Sequence, residues 1–103
     1  LAKKDGISAE LIDLRTIYPI DRETIAQSVK KTGRLVVVHE GPTTFGVAAE
    51  ISAMVEEDVF QHLEAPVTRV TGFDTIVPLP RGEHHYIISP EKIYYGIQKS
   101  VRY

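Results

Sequence analysis

The apolar positions of the chain fall into short strand-like runs separated by stripes with helical spacing. From Leu11 onward the pattern alternates only roughly between apolar and polar, and the stretch from Ser8 to Leu14 reads as a strand. Arg15-Thr16-Ile17-Tyr18-Pro19 is a connector, because the residue before a proline is pushed out of the helical region. A helix follows, with Asp21 at its N-cap, Glu23 in the first turn and Ile20 placed to staple onto Ile25. Ile25 and Val29 form its inward stripe, Lys30 and Lys31 suit the carboxyl end of its dipole, and Gly33 stops it.

The next run, Arg34-Leu35-Val36-Val37-Val38, is continuously apolar after its first residue and turns polar at His39 and Glu40. Such a run fits a strand from Leu35 to Val38 that is covered on both faces. The chain then passes through Gly41-Pro42-Thr43-Thr44-Phe45-Gly46 into a helix. Val47, Ile51, Met54, Val55 and Val59 lie near one face of that helix, with Glu50, Glu56, Glu57 and Asp58 mostly elsewhere. Glu64-Ala65-Pro66 breaks the pattern, and Val67-Thr68-Arg69-Val70 is a third strand. Gly72 to His85 is irregular, with Pro78, Pro80 and Gly82, and is long enough to serve a function or cover a neighbour. Ser89 caps a last helix, with Pro90 at its first position and Glu91 beside it; Ile93, Ile97 and Val101 mark the expected buried face.

Strands alternating with helices imply a parallel sheet with helices on its faces and right-handed crossovers. At the start, Leu1-Ala2-Lys3-Lys4-Asp5-Gly6 reads as the last turn of a helix, so the expectation is a piece cut inside that helix. The 103 residues make one domain or part of one. A composition of 43% hydrophobic and 25% charged residues is that of a globular chain. The formal net charge of -2 argues against a nucleic-acid-binding face. The sequence has no cysteine, which excludes disulfides and thiolate chemistry and fits a reducing compartment. No apolar run approaches membrane-spanning length, so no membrane partner is expected.

Four groups invite a chemical reading. The loop from Gly41 to Gly46 precedes a helix, where backbone amides attract anions, so a carboxylate or phosphate could sit there. However, no Lys-Ser/Thr follows the second glycine, and the plainer expectation is a strand-to-helix connection with glycine where φ is unusual. His39 and Glu40 resemble an acid–base pair, but neighbours on a strand point to opposite faces. They read better as residues of a domain seam, with the histidine satisfied by hydrogen bonds. His84 and His85 diverge for the same reason and have no partner at zinc spacing. Glu56, Glu57 and Asp58, with Glu64 nearby, form an acidic cluster: a solvated helix face, or a dock for a basic partner. Tyr94, Tyr95 and Tyr103 crowd the carboxyl end with aromatics of the interface type. No active site emerges from these groups.

Taken in order, the segment from Ile12 to Asp21, Ser28 to Arg34, Val38-His39-Glu40-Gly41-Pro42, Glu50-Ile51, and Leu63 to Thr75 resemble the C-terminal domain of transketolase-like enzymes. More narrowly, they resemble the β subunit of the thiamine-diphosphate-dependent decarboxylating component of 2-oxo acid dehydrogenase complexes. His-Glu after the strand and a terminal tyrosine look more like the branched-chain than the pyruvate members. Arg81-Gly82-Glu83-His84-His85-Tyr86 departs from both patterns. Equivalent domains of pyruvate dehydrogenase, transketolase or deoxyxylulose phosphate synthase are the alternatives within the resemblance.

The resemblance implies a three-layer α/β/α domain with a mostly parallel sheet, lacking here its first strand or strands and the start of its first helix. One missing strand would lie between Ser8–Leu14 and Leu35–Val38. It also implies a division of labour within an oxidoreductase. Thiamine diphosphate and Mg belong to the intact enzyme and are not held by these residues, which make a piece that is not catalytic by itself. The domain's work would be assembly with an α subunit and a second β subunit, and docking of the basic subunit-binding domain of the dihydrolipoyl acyltransferase. Glu64 and Tyr103 match positions of that docking surface. Arg69 and Asp74 would tie the strand end to its loop. The compartment would be the cytoplasm of a prokaryote or the mitochondrial matrix of a eukaryote.

Overall fold

The computed structural model describes residues 6–15, 19–72 and 88–103. Among them are helix α1 (Arg22–Thr32), strand β1 (Val36–Pro42), helix α2 (Val47–Val59) running into a short 3-10 turn (Phe60–His62), strand β2 (Thr68–Gly72) and helix α3 (Pro90–Val101). The expected helix end before Gly6, the middle of the connector at Thr16, Ile17 and Tyr18, and the irregular stretch carrying Asp74, Pro78, Pro80, Gly82, His84 and His85 lie outside the described residues.

β1 and β2 pair in parallel, with Val36 opposite Thr68, Val37 opposite Arg69 and Val38 opposite Val70. The register slips between Val38 and Pro42, where Pro42 faces Gly72. Helices α1 and α2 lie on one face of this pair and α3 on the other, giving the three expected layers.

The first helix follows its sequence signals closely. Asp21 accepts hydrogen bonds from the Thr24 backbone N–H (3.1 Å) and the Thr24 hydroxyl (2.7 Å). Gly33 closes the helix in the left-handed region (φ 77), its N–H donating to Val29 O at 2.7 Å. Ile25 and Val29 are buried and join Ile51, Met54, Val55 and Val59 of α2 in the main core cluster, with Ile20, Leu35, Val37 and Val67 packed against it. Burying each of these aliphatic side chains contributes roughly 1.5–3 kcal/mol. The Lys31 ammonium meets Glu10 at 2.6 Å, and the Ser28 hydroxyl donates to the same carboxylate at 2.9 Å, which ties the leading segment to α1. These two contacts, Lys31 first, pull the Glu10 carboxyl below its ordinary range.

Three expectations are corrected. Residues 11–14 alternate as predicted, with Ile12 and Leu14 half-buried and Asp13 exposed, but they form no strand and Leu11 is 96% exposed. Alternation orients side chains; a ladder also needs a neighbouring edge about 4.8 Å away, and no described strand borders this segment. Both sheet strands run further than expected, β1 to Pro42 and β2 to Gly72, so His39, Glu40 and Gly41 belong to the strand. Nor is β1 sealed on both faces: Val38 is 42% exposed.

The last helix keeps its predicted cap, with Lys92 N donating to Ser89 Oγ at 3.2 Å. Its buried positions, however, are Gly96 and Ser100, while Ile93 and Ile97 are half-buried and Val101 is 42% exposed. The reason is close approach. A Cβ on Gly96 would come within 2.6 Å of Val70 Cγ2, with Thr68 Cγ2 and Val36 Cγ1 just beyond. The side without a side chain faces the sheet because only there can the helix sit so near.

Two predictions follow from these contacts. Helix propensity favours Ala over Gly by about 1 kcal/mol, but overpacking against the buried Val70 methyl costs about 1–3 kcal/mol, so Gly96→Ala should lose about 1 kcal/mol net. Gly96→Val is expected to lose about 2 kcal/mol or more, measured by urea denaturation. At Asp21, the Thr24 hydroxyl and then the Thr24 N–H hold the carboxyl below its ordinary range. Its stabilisation is therefore full above the ordinary value near 4 and fades as pH falls through the depressed one. Asp21→Ala should lower the unfolding midpoint at neutral pH and converge with the parent under strong acid, in denaturation curves recorded across pH.

Candidate functional surface

The end of β1 separates the two residues that looked like an acid–base pair. His39 is half-buried and Glu40 is exposed, as neighbours on a strand should be. His39 Nδ1 accepts a hydrogen bond from Gly41 N–H at 2.9 Å, so in the neutral ring the proton is on Nε2. That nitrogen is buried and has no hydrogen-bond partner among the described residues.

The glycines of the following loop also have a different cause from the one predicted. Neither Gly41 nor Gly46 has a positive φ. They are small because the histidine lies against them. A Cβ on Gly41 would meet His39 Nδ1 at 3.0 Å, and one on Gly46 would collide with the Pro42 carbonyl oxygen and approach His39 Cε1 at 2.9 Å. The left-handed residue of the loop is Phe45 (φ 57), which is fully exposed. The strand ends are tied by Arg69 Nη1, which donates to Thr43 O at 3.1 Å, and by a hydrogen bond between the hydroxyls of Thr43 and Thr71. Arg69 thus ties β2 to the loop after β1, while Asp74 and the loop after Gly72 lie outside the described residues.

The acidic cluster is not simply a solvated face. Arg22 at the start of α1 reaches Asp58 at 2.8 Å and Glu57 at 3.4 Å near the end of α2. Asp58, then Glu57, raise the Arg22 guanidinium further above its already high ordinary value. Glu56, also exposed, lies beside them.

Glu64 is linked through Arg34 to the last turn of α3, three residues before Tyr103. Glu64 N–H donates to Gly33 O at 2.7 Å, fixing the turn before β2 against the end of α1. Its carboxylate Oε2 accepts from Arg34 Nη1 at 2.8 Å, and its side chain stays 62% exposed. Arg34 Nε donates in turn to the Ser100 carbonyl at 3.0 Å, in the last turn of α3. Tyr103 is 78% exposed. Nothing in the sequence marks Arg34 for this place: its two acceptors lie 30 and 66 residues away. Among the described residues, no three His, Asp or Glu side chains converge as a metal site, and no helix is long and apolar enough to cross a membrane.

A parallel strand pair between two helical layers defines an α/β domain. The sequence pattern described as "Transketolase, C-terminal domain" matches residues 1–93, and the chain belongs to that family. It is 57% identical over 99 residues to the pyruvate dehydrogenase E1 component subunit beta of Acholeplasma laidlawii, covering 96% of this chain and 30% of that protein. Against the mitochondrial 2-oxoisovalerate dehydrogenase subunit beta of Dictyostelium discoideum, identity is 54% over 101 residues, covering 98% of this chain and 27% of the relative. The 2-oxoisovalerate dehydrogenase subunit beta of Pseudomonas aeruginosa is 49% identical over 92 residues, covering 89% of this chain and 26% of the relative. The chain thus spans less than a third of the length of these curated relatives, which are named for both a pyruvate and a branched-chain substrate.

Ser100 supplies a test of this link to α3. It is 3% exposed, and its hydroxyl has no hydrogen-bond partner among the described residues, although its carbonyl is used by Arg34. An unpaired buried hydroxyl is costly, and Ala is the better helix former. Ser100→Ala is therefore expected to raise stability by about 1 kcal/mol in urea denaturation while leaving the carbonyl contact in place.

Proposed function

We propose that the chain is a single C-terminal domain of the β subunit of a 2-oxo acid dehydrogenase E1 component, serving assembly and docking rather than catalysis. The observation that carries this is identity of 49–57% to proteins named as such β subunits, over 89–98% of the chain. In this reading the domain helps join an α subunit and a second β subunit, and Glu64 with Tyr103 binds the basic subunit-binding domain of the dihydrolipoyl acyltransferase. The exposure of both residues, and the route from Glu64 through Arg34 to the last turn of α3, support treating them as one surface. A surface with an acid and an aromatic on its rim suits a basic partner, for which charge sets encounter rate and register. The branched-chain type is our preferred substrate class, on His39-Glu40.

Thiamine diphosphate with Mg is the cofactor such enzymes use, and it supplies the electron sink for decarboxylation. The described residues do not form a seat for it. Among them no three His, Asp or Glu side chains converge to hold a metal ion, and Val47-Ala48 follow Gly46 where a phosphate loop would carry Lys and Ser or Thr. The cofactor would therefore be held by other parts of the enzyme. His39 and Glu40 are assigned to a seam with those parts, Glu40 being exposed and His39 half-buried at the end of β1. The enzyme would work in a bacterial cytoplasm or a mitochondrial matrix, according to its source.

The test uses the assembled decarboxylase. Glu64→Ala, or removal of Tyr103, should weaken binding of the acyltransferase roughly tenfold in a titration at fixed ionic strength. Decarboxylation with an artificial electron acceptor should survive. Unchanged affinity would refute the docking assignment.

A further inference from the structure

We infer that Arg34 is the positioning residue that joins Glu64 and the carboxyl end of α3 into one docking surface for a basic protein segment. The inference rests on the docking role proposed above and names the side chain through which the parts of that surface are held.

The geometry is that of a two-ended clamp. Arg34 follows Gly33, the left-handed residue that ends α1, and its side chain is about two-thirds covered (33% exposed). One nitrogen, Nη1, donates to Glu64 Oε2 at 2.8 Å; another, Nε, donates to Ser100 O at 3.0 Å. A guanidinium is planar and rigid, so two bonds from it fix the mutual position of both acceptors, which an ammonium cannot do. Ser100 O lies in the last turn of its helix, where carbonyls lack intrahelical partners and a cation is favoured by the dipole. Gly33 makes room for the arrangement, since a Cβ there would stand 2.5 Å from Glu64 Oε2. Arg34 engages only one carboxylate oxygen of Glu64, whose side chain stays mostly exposed to a partner.

Arg34 acts on a basic partner in two ways of opposite sign. As a charge it offsets the carboxylate and repels the partner. As a clamp it holds Glu64 and the end of α3 in fixed register, so that both are engaged together without further ordering. Removing the charge alone should tighten binding; removing the clamp should loosen it. The sign of the change therefore identifies which role dominates.

The experiment titrates the assembled decarboxylase with the purified acyltransferase at fixed ionic strength, with unfolding midpoints recorded as a folding control. Arg34→Gln and Arg34→Lys are both expected to bind roughly five- to tenfold more weakly, although one removes a positive charge and the other keeps it. In the parent, the effects of Glu64→Ala and Tyr103 removal should be non-additive, because the clamp couples them; in the Arg34→Lys background they should become additive. Tighter binding by Arg34→Gln, or unchanged binding by Arg34→Lys, would show that Arg34 is only a counter-charge and would overturn the inference. If Glu64→Ala leaves affinity unchanged in the parent, the docking role itself falls, and the clamp's purpose with it.

Discussion

Two parallel strands cannot be joined by a tight turn, because the chain must travel back the length of the first before starting the second. In this domain α2 makes that return from β1 to β2, and the rest of the fold follows from how it does so. Its buried face, Ala48, Ile51, Met54, Val55 and Val59, must cover one side of the sheet, and α1 adds Ile25 and Val29 to the same layer. At roughly 1.5–3 kcal/mol for each large apolar side chain, this layer far outweighs the ion pairs on its surface, each worth about 0–1 kcal/mol. The crossover also sets the strand ends. It lays His39 against Gly46 at the start of α2 and brings Thr43 next to Thr71 and Arg69.

The surface charges are weak singly but join segments far apart in the chain. Arg22 ties the start of α1 to the end of α2, and Lys31 ties α1 to Glu10. Arg34 differs because its second bond reaches a helix carbonyl, so it fixes a position as well as pairing a charge.

Much of the fold was legible in local residue order. Asp21, Gly33, Ser89 and Pro90 punctuate helices through contacts made within a few residues, so their sequence signals were sufficient. The stripe from Ile51 to Val59 likewise marked the inward face of α2. The surface was less legible. Glu64 and Tyr103 came from resemblance to a family, whereas Arg34, Phe45 and the unpaired His39 Nε2 had no local signature.

By itself, then, the sequence determined the helices, the strand pair and their alternation, because caps, periodicity and glycine stops act over one or two turns of chain. Only the tertiary structure decided that residues 11–14 lack a ladder, that α3 turns Gly96 rather than its isoleucine stripe to the sheet, and that Arg34 bridges Glu64 and Ser100. Each of those outcomes depends on a neighbour distant in sequence: a strand edge, a Val70 methyl, a carbonyl 66 residues away. Local pattern can prepare a side chain for such a neighbour, but only packing supplies it.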